Sequence, residues 1–245
     1  MTELPLVLLH AFPVDARLWD AVRAPLAERL RVITPDQRGL GRSPLPESGR
    51  EPSLDDAARD VVALLDRLEL DKVVLGGCSM GGYLTMAVLR LAPERVGGVV
   101  LIDTKATADT PEAAQARHDV AARVEEEGAG WLADAVIPGL LAEKARPEVV
   151  ERLRELITSQ PPSGIAWAAR AMAARPDSVE TLRSVDVPAL VVVGEEDGLT
   201  PLEAANLLVE TLPGATLVVL PEAGHLTPLE DPAGIVEAIL GWHPA

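Results

Sequence analysis

Apolar residues along this chain fall into short unbroken runs, and longer stretches that mix apolar and polar positions separate these runs. Runs of Val, Leu and Ile without polar alternation are typical of strands that are buried on both faces. Six can be counted, at residues 6–9, 31–34, 72–75, 98–102, 189–193 and 216–220. Because helical patterns lie between them, the sequence predicts an α/β fold. Its sheet would be mostly parallel, with about six strands and helices on both faces.

The stretches between the runs carry the start and stop signals of helices. Ser53 stands as an N-cap before a helix predicted at residues 54–68, with two aspartates in its first turn to complement the helix dipole. Pro25 is expected to break a helix over residues 18–30, and Pro201 is placed like a first-turn proline. Further helices are predicted at residues 82–91, 201–212 and 231–240.

Between about residue 105 and residue 185 the strand signals stop. Amphipathic helices joined by Pro and Gly breaks are predicted there, at residues 111–127, 130–141, 147–159 and 165–174. A chain of 245 residues can bury one sizeable core, which favours one domain with an insertion over two domains. We therefore expect an α/β core of residues 1–104 and 185–245, with a helical insertion at residues 105–184 before the last two strands.

A candidate nucleophile lies at the end of the third strand signal. The stretch Gly77-Cys78-Ser79-Met80-Gly81 fits the pattern G-x-S-x-G, with a strand before it and a helix-forming segment after it. A serine in that context sits on a tight turn, where larger flanking side chains would collide with the backbone. The helix that follows directs its N-terminal N–H groups at any oxyanion formed nearby.

A serine hydroxyl is a poor nucleophile at neutral pH, so it needs a histidine base and an acid that orients the histidine. His225 follows the last strand signal, and Asp197 follows the one before it. Each group, like Ser79, therefore lies past the carboxyl end of a strand, where open α/β sheets place their sites. Asp103 also ends a strand and is a competing candidate for the acid.

Four stretches of the chain form motifs that are more specific together than any one of them. They are LLHAFP at residues 8–13, DQRGLGRS at residues 36–43, SMGG at residues 79–82, and a G-H-x-x-x-x-E-x-P ending at residues 224–232. These motifs resemble the α/β-hydrolase superfamily, and the resemblance covers nearly the whole chain. The chain resembles the small cofactor-free group that includes 3-oxoadipate enol-lactonases, carboxylesterases and the non-haem haloperoxidases or perhydrolases.

This resemblance implies an α/β-hydrolase fold in which the helical insertion is a cap. It implies oxyanion donors at the backbone N–H groups of Phe12 and Met80. It also favours Asp197 over Asp103, because the acid commonly follows the penultimate strand in this family. Ala11 stands where the family usually has glycine, which costs stability if that residue needs a positive φ.

Three residues within these motifs are expected to be structural. His10 should be a hydrogen-bonded residue of the oxyanion loop, and Arg38 should brace its own loop through an ion pair. Cys78 should pack as a small apolar group, because its neighbour Ser79 occupies the nucleophile position.

Composition excludes several classes of partner. The net charge of −16 argues against nucleic acid and anionic membranes, since nothing offsets phosphate repulsion. The single cysteine rules out an intramolecular disulfide and a cysteine-rich metal site. No signal peptide fits the N-terminus, and no apolar stretch approaches the roughly 18 residues of a spanning helix. The expectation is a cytoplasmic protein without a metal or an organic cofactor.

Aromatic residues make up only 2% of the chain, so the substrate pocket must be lined mainly by aliphatic side chains and backbone. Trp19, Trp131 and Trp167 are the candidate bulky pocket residues, although the two cap tryptophans could equally be cap core. The sequence thus predicts a serine hydrolase for a small to medium, mainly aliphatic ester or lactone. Two alternatives stay open: a C–C bond hydrolase or lyase on the same triad, and a hydrolase-like binding protein with negligible turnover.

Overall fold

The computed structural model describes residues 4–47 and 49–244. The prediction that no signal peptide fits the N-terminus rests partly on residues 1–3, which lie outside the described residues. All strand pairs in the sheet are parallel, and the strand order is β2-β1-β3-β4-β5-β6. The strands are β1 (Leu6–Leu9), β2 (Val32–Ile33), β3 (Val73–Cys78), β4 (Val96–Ile102), β5 (Ala189–Gly194) and β6 (Thr216–Leu220). The predicted six-stranded parallel sheet is confirmed.

The central strands are buried on both faces. Every residue of β1, β3 and β5 is buried, although successive side chains of a strand point to opposite faces. Both faces are therefore covered, as the unbroken apolar runs predicted. β6 lies at the edge of the sheet and keeps exposed positions, among them Val219 at 40% exposure.

β3 extends beyond the predicted strand, which ended at residue 75. Gly76 and Gly77 continue the ladder opposite Val100 and Leu101 of β4. Glycine is a weak strand former, so this extension carries no sequence signal of its own. A Cβ at Gly76 would lie 2.6 Å from the Cβ of Val100, so the close approach of the two strands requires glycine there. The extension brings the strand directly to Ser79.

The helices of the described residues follow the predicted pattern with shifted ends. Before the insertion they are α1 (Asp20–Ala27), α2 (Leu54–Arg67) and α3 (Met80–Leu91). Within it they are α4 (Pro111–Glu127), α5 (Leu132–Leu140), α6 (Pro147–Thr158), α7 (Pro162–Ala173) and α8 (Val179–Arg183). After it they are α9 (Leu202–Thr211), α10 (Thr227–Glu230) and α11 (Pro232–Trp242). None of them is long and apolar enough to cross a membrane.

Two helix predictions around proline were wrong. α1 runs through Pro25 without breaking, because that proline is in the sixth position of an eight-residue helix and removes only one hydrogen bond. Pro201 is the N-cap of α9 rather than its first residue, since its ψ of 171° is extended and not helical. The short α8 was not predicted, because five residues are too few to show a helical period.

Residues 105–184, which we call the cap segment, contain only helices and connections. Within the cap segment α4 packs against α7, and α5 packs against α6. One attachment to the rest of the chain is a close backbone contact between Gly164, in the first turn of α7, and Gly39. A Cβ at residue 164 would overlap the carbonyl oxygen of Gly39. Only glycine lets the cap segment lie this close to the loop that contains residues 36–43.

This contact predicts an asymmetry between two glycines. Gly164→Ala should lower the free energy of unfolding by about 1–3 kcal/mol, because the added methyl forces α7 away from Gly39. Gly139→Ala is the matched control, since it lies in helix α5 and a Cβ there meets nothing within 4 Å. The control should raise stability by up to about 1 kcal/mol through helix propensity. Urea unfolding of both variants checks this, and equal effects would contradict the close-contact argument.

Candidate active site

Ser79 occupies a sharp turn between β3 and α3. Its φ of 53° and ψ of −112° lie in a region that non-glycine residues rarely adopt, and strain of this kind is typical of functional turns. A Cβ at Gly77 would overlap the backbone of Gly81, and a Cβ at Gly81 would overlap the carbonyl oxygen of Leu9. The two glycines of the motif thus let the strand, the helix and β1 meet at van der Waals distance. The Ser79 N–H donates to the Ile102 carbonyl at 2.9 Å, which fixes the turn to β4.

The structure brings Ser79, His225 and Asp197 together in one chain of hydrogen bonds. His225 Nε2 lies 2.8 Å from Ser79 Oγ, and His225 Nδ1 lies 2.8 Å from Asp197 Oδ2. The three residues are 9%, 3% and 4% exposed. An ionised carboxylate can only accept hydrogen bonds, so the bond to Asp197 requires a proton on His225 Nδ1. The other ring nitrogen, Nε2, is then free to accept a hydrogen bond from the serine hydroxyl. This is the arrangement in which a histidine can accept a proton from serine.

Asp197 is held in the ionised form by its own loop. Its Oδ1 accepts hydrogen bonds from the N–H groups of Leu199 and Thr200, both at 2.9 Å, and its Oδ2 accepts one from Thr200 Oγ1 at 2.6 Å. Burial alone would raise the pKa of Asp197, but the hydrogen bonds and charge of His225 and the bonds from Thr200 outweigh it and lower that pKa. Sequence reasoning missed Thr200. An Asp followed three residues later by Thr is the pattern of a side chain that bonds its own turn, and it could have been noticed.

Asp103, the competing acid, has a different set of partners. Its carboxylate accepts from the Gly194 N–H at 3.1 Å and from the N–H and hydroxyl of Thr227 at 3.0 and 2.7 Å. It thereby ties the end of β4 to the end of β5 and to the start of α10. Complete burial, and then the nearby Asp197 charge, raise the pKa of Asp103 well above its ordinary value. In this structure the acid that bonds the His225 ring is Asp197, and Thr200 Oγ1 also lies 3.2 Å from His225 Nδ1.

His10 and Cys78 occupy structural positions, as expected. His10 Nδ1 donates to the Ala11 carbonyl at 2.9 Å, and Nε2 accepts from the Gln37 N–H at 2.9 Å. Burial lowers the pKa of His10, so the ring is neutral. The Cys78 Sγ is buried 3.8 Å from Asp103 Oδ2, and burial raises the pKa of this thiol. Neither group is free to act as a nucleophile or base.

Ala11 does not need the backbone freedom of glycine. Outside glycine, positive φ occurs among the described residues at Glu69, Ser79, Asp103 and Glu222, and not at Ala11. The cost that a positive φ would have imposed is therefore absent, and the Ala11 methyl is buried in the core.

The two predicted oxyanion donors belong to two different segments of the chain. Met80 is the first residue of α3, and the first N–H groups of a helix have no partner within it. Phe12 lies in the loop after β1, and its side chain packs against Ala121, Ala166 and Ala169 of the cap segment. The cap segment therefore contacts the loop that carries one predicted donor, although the donor roles themselves stay predictions.

A buried carboxylate anchors this loop to the cap segment. Asp15, three residues after Phe12, accepts from Arg17 Nη2 at 2.7 Å and from Gln160 Nε2 at 2.8 Å. Gln160 in turn accepts from the Gly41 N–H at 2.8 Å. Burial raises the pKa of Asp15, but the bonds from Arg17 and Gln160 outweigh it and lower the pKa to about 2. Neither Asp15 nor Gln160 could be selected from sequence, because their partners are far apart along the chain.

The three tryptophans proposed as pocket residues have distinct environments. Trp19 is completely buried in the core. Trp131 is half-buried beneath the Arg123 guanidinium, 3.9 Å from the ring centre. Trp167 is half-buried beside Arg38, 5.6 Å from the ring centre. Arg38 pairs with an aspartate, Asp60, through two bonds of 2.7 Å, which confirms its bracing role. A pocket role for the tryptophans stays a prediction.

Comparison with known proteins agrees with this geometry. A family model described as alpha/beta hydrolase fold matches residues 5–232. The chain is 29% identical over 217 residues to 3-oxoadipate enol-lactonase 2 of Acinetobacter baylyi. This alignment covers 86% of this chain and 78% of that protein. The chain is 31% identical over 230 residues to a non-heme chloroperoxidase of Streptomyces lividans, with coverages of 87% and 82%. The match confirms the resemblance that the four motifs indicated.

A solved structure is similar over almost the whole chain. A malate-bound thermophilic esterase from Thermogutta terrifontis superimposes with a TM-score of 0.95 and is 42% identical. The superposition covers 99% of this chain and 92% of that chain. At this level of identity and coverage, the two chains have the same fold and the same order of elements.

The Asp15 anchor predicts a pH-dependent stability. Because the pKa of Asp15 is lower in the folded chain than its ordinary 3.8, its ionised form stabilises the fold above about pH 3.8, and this stabilisation disappears as the pH falls towards 2. Asp15→Asn should therefore unfold more easily than the wild type at neutral pH, and the difference should shrink below pH 4. Urea unfolding across this pH range measures it.

Asp20→Asn serves as the control for Asp15. Asp20 pairs with Arg152 at 2.9 Å on the surface, where such pairs contribute about 0–1 kcal/mol. Its effect should be small at every pH. An Asp15→Asn effect that is constant from neutral pH to acid would contradict the assignment of a low pKa to Asp15.

Proposed function

The chain belongs to the alpha/beta hydrolase family, and we propose that it is a serine hydrolase that cleaves a carboxylic ester or a lactone through an acyl-enzyme on Ser79. The observation that carries the proposal is the continuous hydrogen-bond chain Ser79 Oγ–His225–Asp197, with 2.8 Å at each step. The proposal is supported by the similar proteins, which include an enol-lactonase and an esterase.

In the first half of the reaction, Ser79 Oγ forms a bond to the carbonyl carbon while His225 Nε2 takes the hydroxyl proton. Asp197 keeps the imidazole in the required tautomer and stabilises the imidazolium that forms. The tetrahedral intermediate then collapses, and the C–O bond to the leaving group breaks. The leaving oxygen takes the proton from His225. In a lactone this alcohol stays attached to the acyl group.

In the second half, a water molecule gives a proton to His225 Nε2 and its oxygen attacks the acyl carbon. The bond from Ser79 Oγ to the acyl carbon breaks, Ser79 takes the proton back, and the carboxylic acid is released. In both halves negative charge develops on the former carbonyl oxygen. The Phe12 and Met80 N–H groups would donate to it, with the N-terminus of α3 adding its positive dipole end.

We assign the cap segment, residues 105–184, the role of a cap domain that determines substrate choice. The triad contacts only the reacting carbonyl, so selectivity must come from what encloses the acyl and alcohol groups. The low aromatic content favours small to medium aliphatic groups, bound by the hydrophobic effect. Support for this role comes from the contact of Phe12 with three cap-segment alanines and from the anchoring of Asp15 by Gln160.

The nucleophile assignment predicts the behaviour of one variant. Ser79→Ala should keep the fold but lose about 10³-fold or more in kcat for a short p-nitrophenyl ester, because the covalent path is deleted. An organophosphonate should add mass to the wild type at Ser79, detected by mass spectrometry. Ser184→Ala is the control, since its hydroxyl only bonds the exposed end of α8. Labelling that persists in Ser79→Ala would rule out this nucleophile.

The choice of acid predicts an order between two variants. Asp197→Asn should lower kcat by about three to four orders of magnitude, because an amide at that position no longer selects the His225 tautomer. Asp103→Asn should lower kcat per folded molecule much less, since Asp103 bonds Gly194 and Thr227 rather than the His225 ring. Steady-state kinetics normalised to the folded fraction test this, and the opposite order would assign the acid to β4.

The cap assignment predicts a chain-length optimum. Across p-nitrophenyl esters, kcat/KM should rise over the first few carbons, as each buried methylene contributes about 0.8 kcal/mol, and then fall once the pocket is full. Trp131→Ala and Trp167→Ala should move the optimum to longer chains. Trp242→Ala, outside the cap segment at the end of α11, should not. An unchanged profile in both cap variants would mean that these tryptophans only pack the cap core.

A further inference from the structure

Glu230 joins the cap segment to the loop that carries His225. It is the last residue of α10, five positions after His225. Its Oε1 accepts a hydrogen bond from the Gly224 N–H at 3.0 Å, and its Oε2 accepts one from the Ala142 N–H of the cap segment at 2.8 Å. One carboxylate therefore holds two peptide groups, one in the cap segment and the Ala223–Gly224 peptide in the His225 loop.

The two segments that Glu230 joins are also in direct contact. A Cβ at Gly224 would overlap the backbone nitrogen of Ala142, so glycine is required where the cap segment crosses the His225 loop. The two N–H groups bond different oxygens of Glu230, so a side chain with one acceptor oxygen in the same position leaves one of them without its bond. Burial raises the pKa of Glu230, while the backbone N–H groups of Ala142, Gly224 and Leu226 act in the opposite direction. Gly224 and Leu226 are the residues on either side of His225.

We propose that Glu230 is a positioning residue that sets the orientation of His225 according to whether the cap segment is seated. When Ala142 is in place, the Glu230 carboxylate is shared between it and Gly224, and the Ala223–Gly224 peptide, one residue before His225, is held in one orientation. When the cap segment lifts, Glu230 loses its second partner and can turn, and the His225 ring loses its fixed distance to Ser79. The inference rests on the proposed roles of Ser79 and His225. It adds a residue that acts through His225 and not on the substrate.

Two variants separate the ends of this connection. Glu230→Gln keeps the size of the side chain but presents one acceptor and one NH₂ donor to two N–H groups, so at most one bond survives. Ala142→Pro removes the cap-segment N–H and places a ring carbon beside the Glu230 carboxylate, so it breaks the connection from the cap-segment side without changing Glu230 itself. Leu141 has φ −125° and ψ 157°, the extended conformation that a residue before proline prefers. If Glu230→Gln does not fold, Ala142→Pro still tests the connection.

Glu196→Gln is the matched control. Its exposed carboxylate also accepts a backbone N–H from the cap segment, that of Glu143 at 3.3 Å. Its side chain makes no contact with the His225 loop among the hydrogen bonds of the described residues. Glu196→Gln therefore removes a carboxylate charge beside the cap segment but keeps an acceptor for its one bond, so it controls for the charge that Glu230→Gln also removes.

The first readout is the proton NMR signal of His225 Nδ1–H, which reports the bond to Asp197 and needs no turnover. The second is the rate at which a fluorophosphonate modifies Ser79. In Glu230→Gln and Ala142→Pro we expect a shifted Nδ1–H signal and labelling slower by about tenfold to a hundredfold, the range typical of a small misplacement of a reacting group. Glu196→Gln should match the wild type in both.

Each outcome decides the matter. An unshifted signal and unchanged labelling in Glu230→Gln would overturn the proposal, as would an equal change in Glu196→Gln. A loss of stability alone, without a shifted signal in the folded molecules, would make Glu230 merely structural. If the wild type is not labelled at Ser79, the proposed function fails. The Nδ1–H signal would still show whether the cap segment and His225 are coupled.

Discussion

The rest of the site depends on how closely three backbone segments approach one another at the start of α3. β1, β3 and α3 meet there with no room for side chains at Gly77 and Gly81. This close approach forces Ser79 into a positive φ and turns its hydroxyl out of the chain towards His225. It also brings the first N–H groups of α3 to the same point. The position of the proposed nucleophile and that of the proposed Met80 donor are therefore consequences of one packing constraint.

Carboxylates organise the loops around this point. Asp197 collects the N–H groups of its own turn, and Asp103 joins β4 to β5 and α10. Asp15 and Glu230 each join the cap segment to a loop of the site. Loops at the strand ends expose N–H groups that no ladder satisfies, and an ionised carboxylate accepts several of them at once. Asp15 and Asp197, whose pKa values are lowered, thus give some of the excess negative charge of the chain a structural use.

The cap segment is tied to the site on two sides. Gln160 reaches the loop after β1 through Asp15, and Ala142 reaches the His225 loop through Glu230. The Asp15 connection lies three residues from Phe12, the proposed oxyanion donor, and the Glu230 connection lies in the loop of His225, the proposed base. Movement of the cap segment would therefore change the geometry of the proposed oxyanion donor and base along with access to the site.

The elements themselves could be predicted from the sequence, because each rests on local signals. The apolar runs predicted the six strands and the burial of the central ones, and the G-x-S-x-G pattern predicted the turn at Ser79. The positions of Asp197 and His225 after strands predicted that both lie at the carboxyl ends of the strands. Local signals failed where a contact with a residue distant in sequence determines the secondary structure. Gly76 and Gly77, which carry no strand signal, continue a strand opposite β4.

Only the tertiary structure decided which groups meet. Asp103 and Asp197 both follow buried strands, and the choice between them depends on which one the His225 ring reaches, since Asp103 is occupied by Thr227 and Gly194. The roles of Asp15 and Glu230 likewise come from donors that lie far away along the chain. Sequence patterns record the local preferences of the backbone. Hydrogen bonds between distant loops leave no periodicity or spacing, because they exist only once the chain has folded.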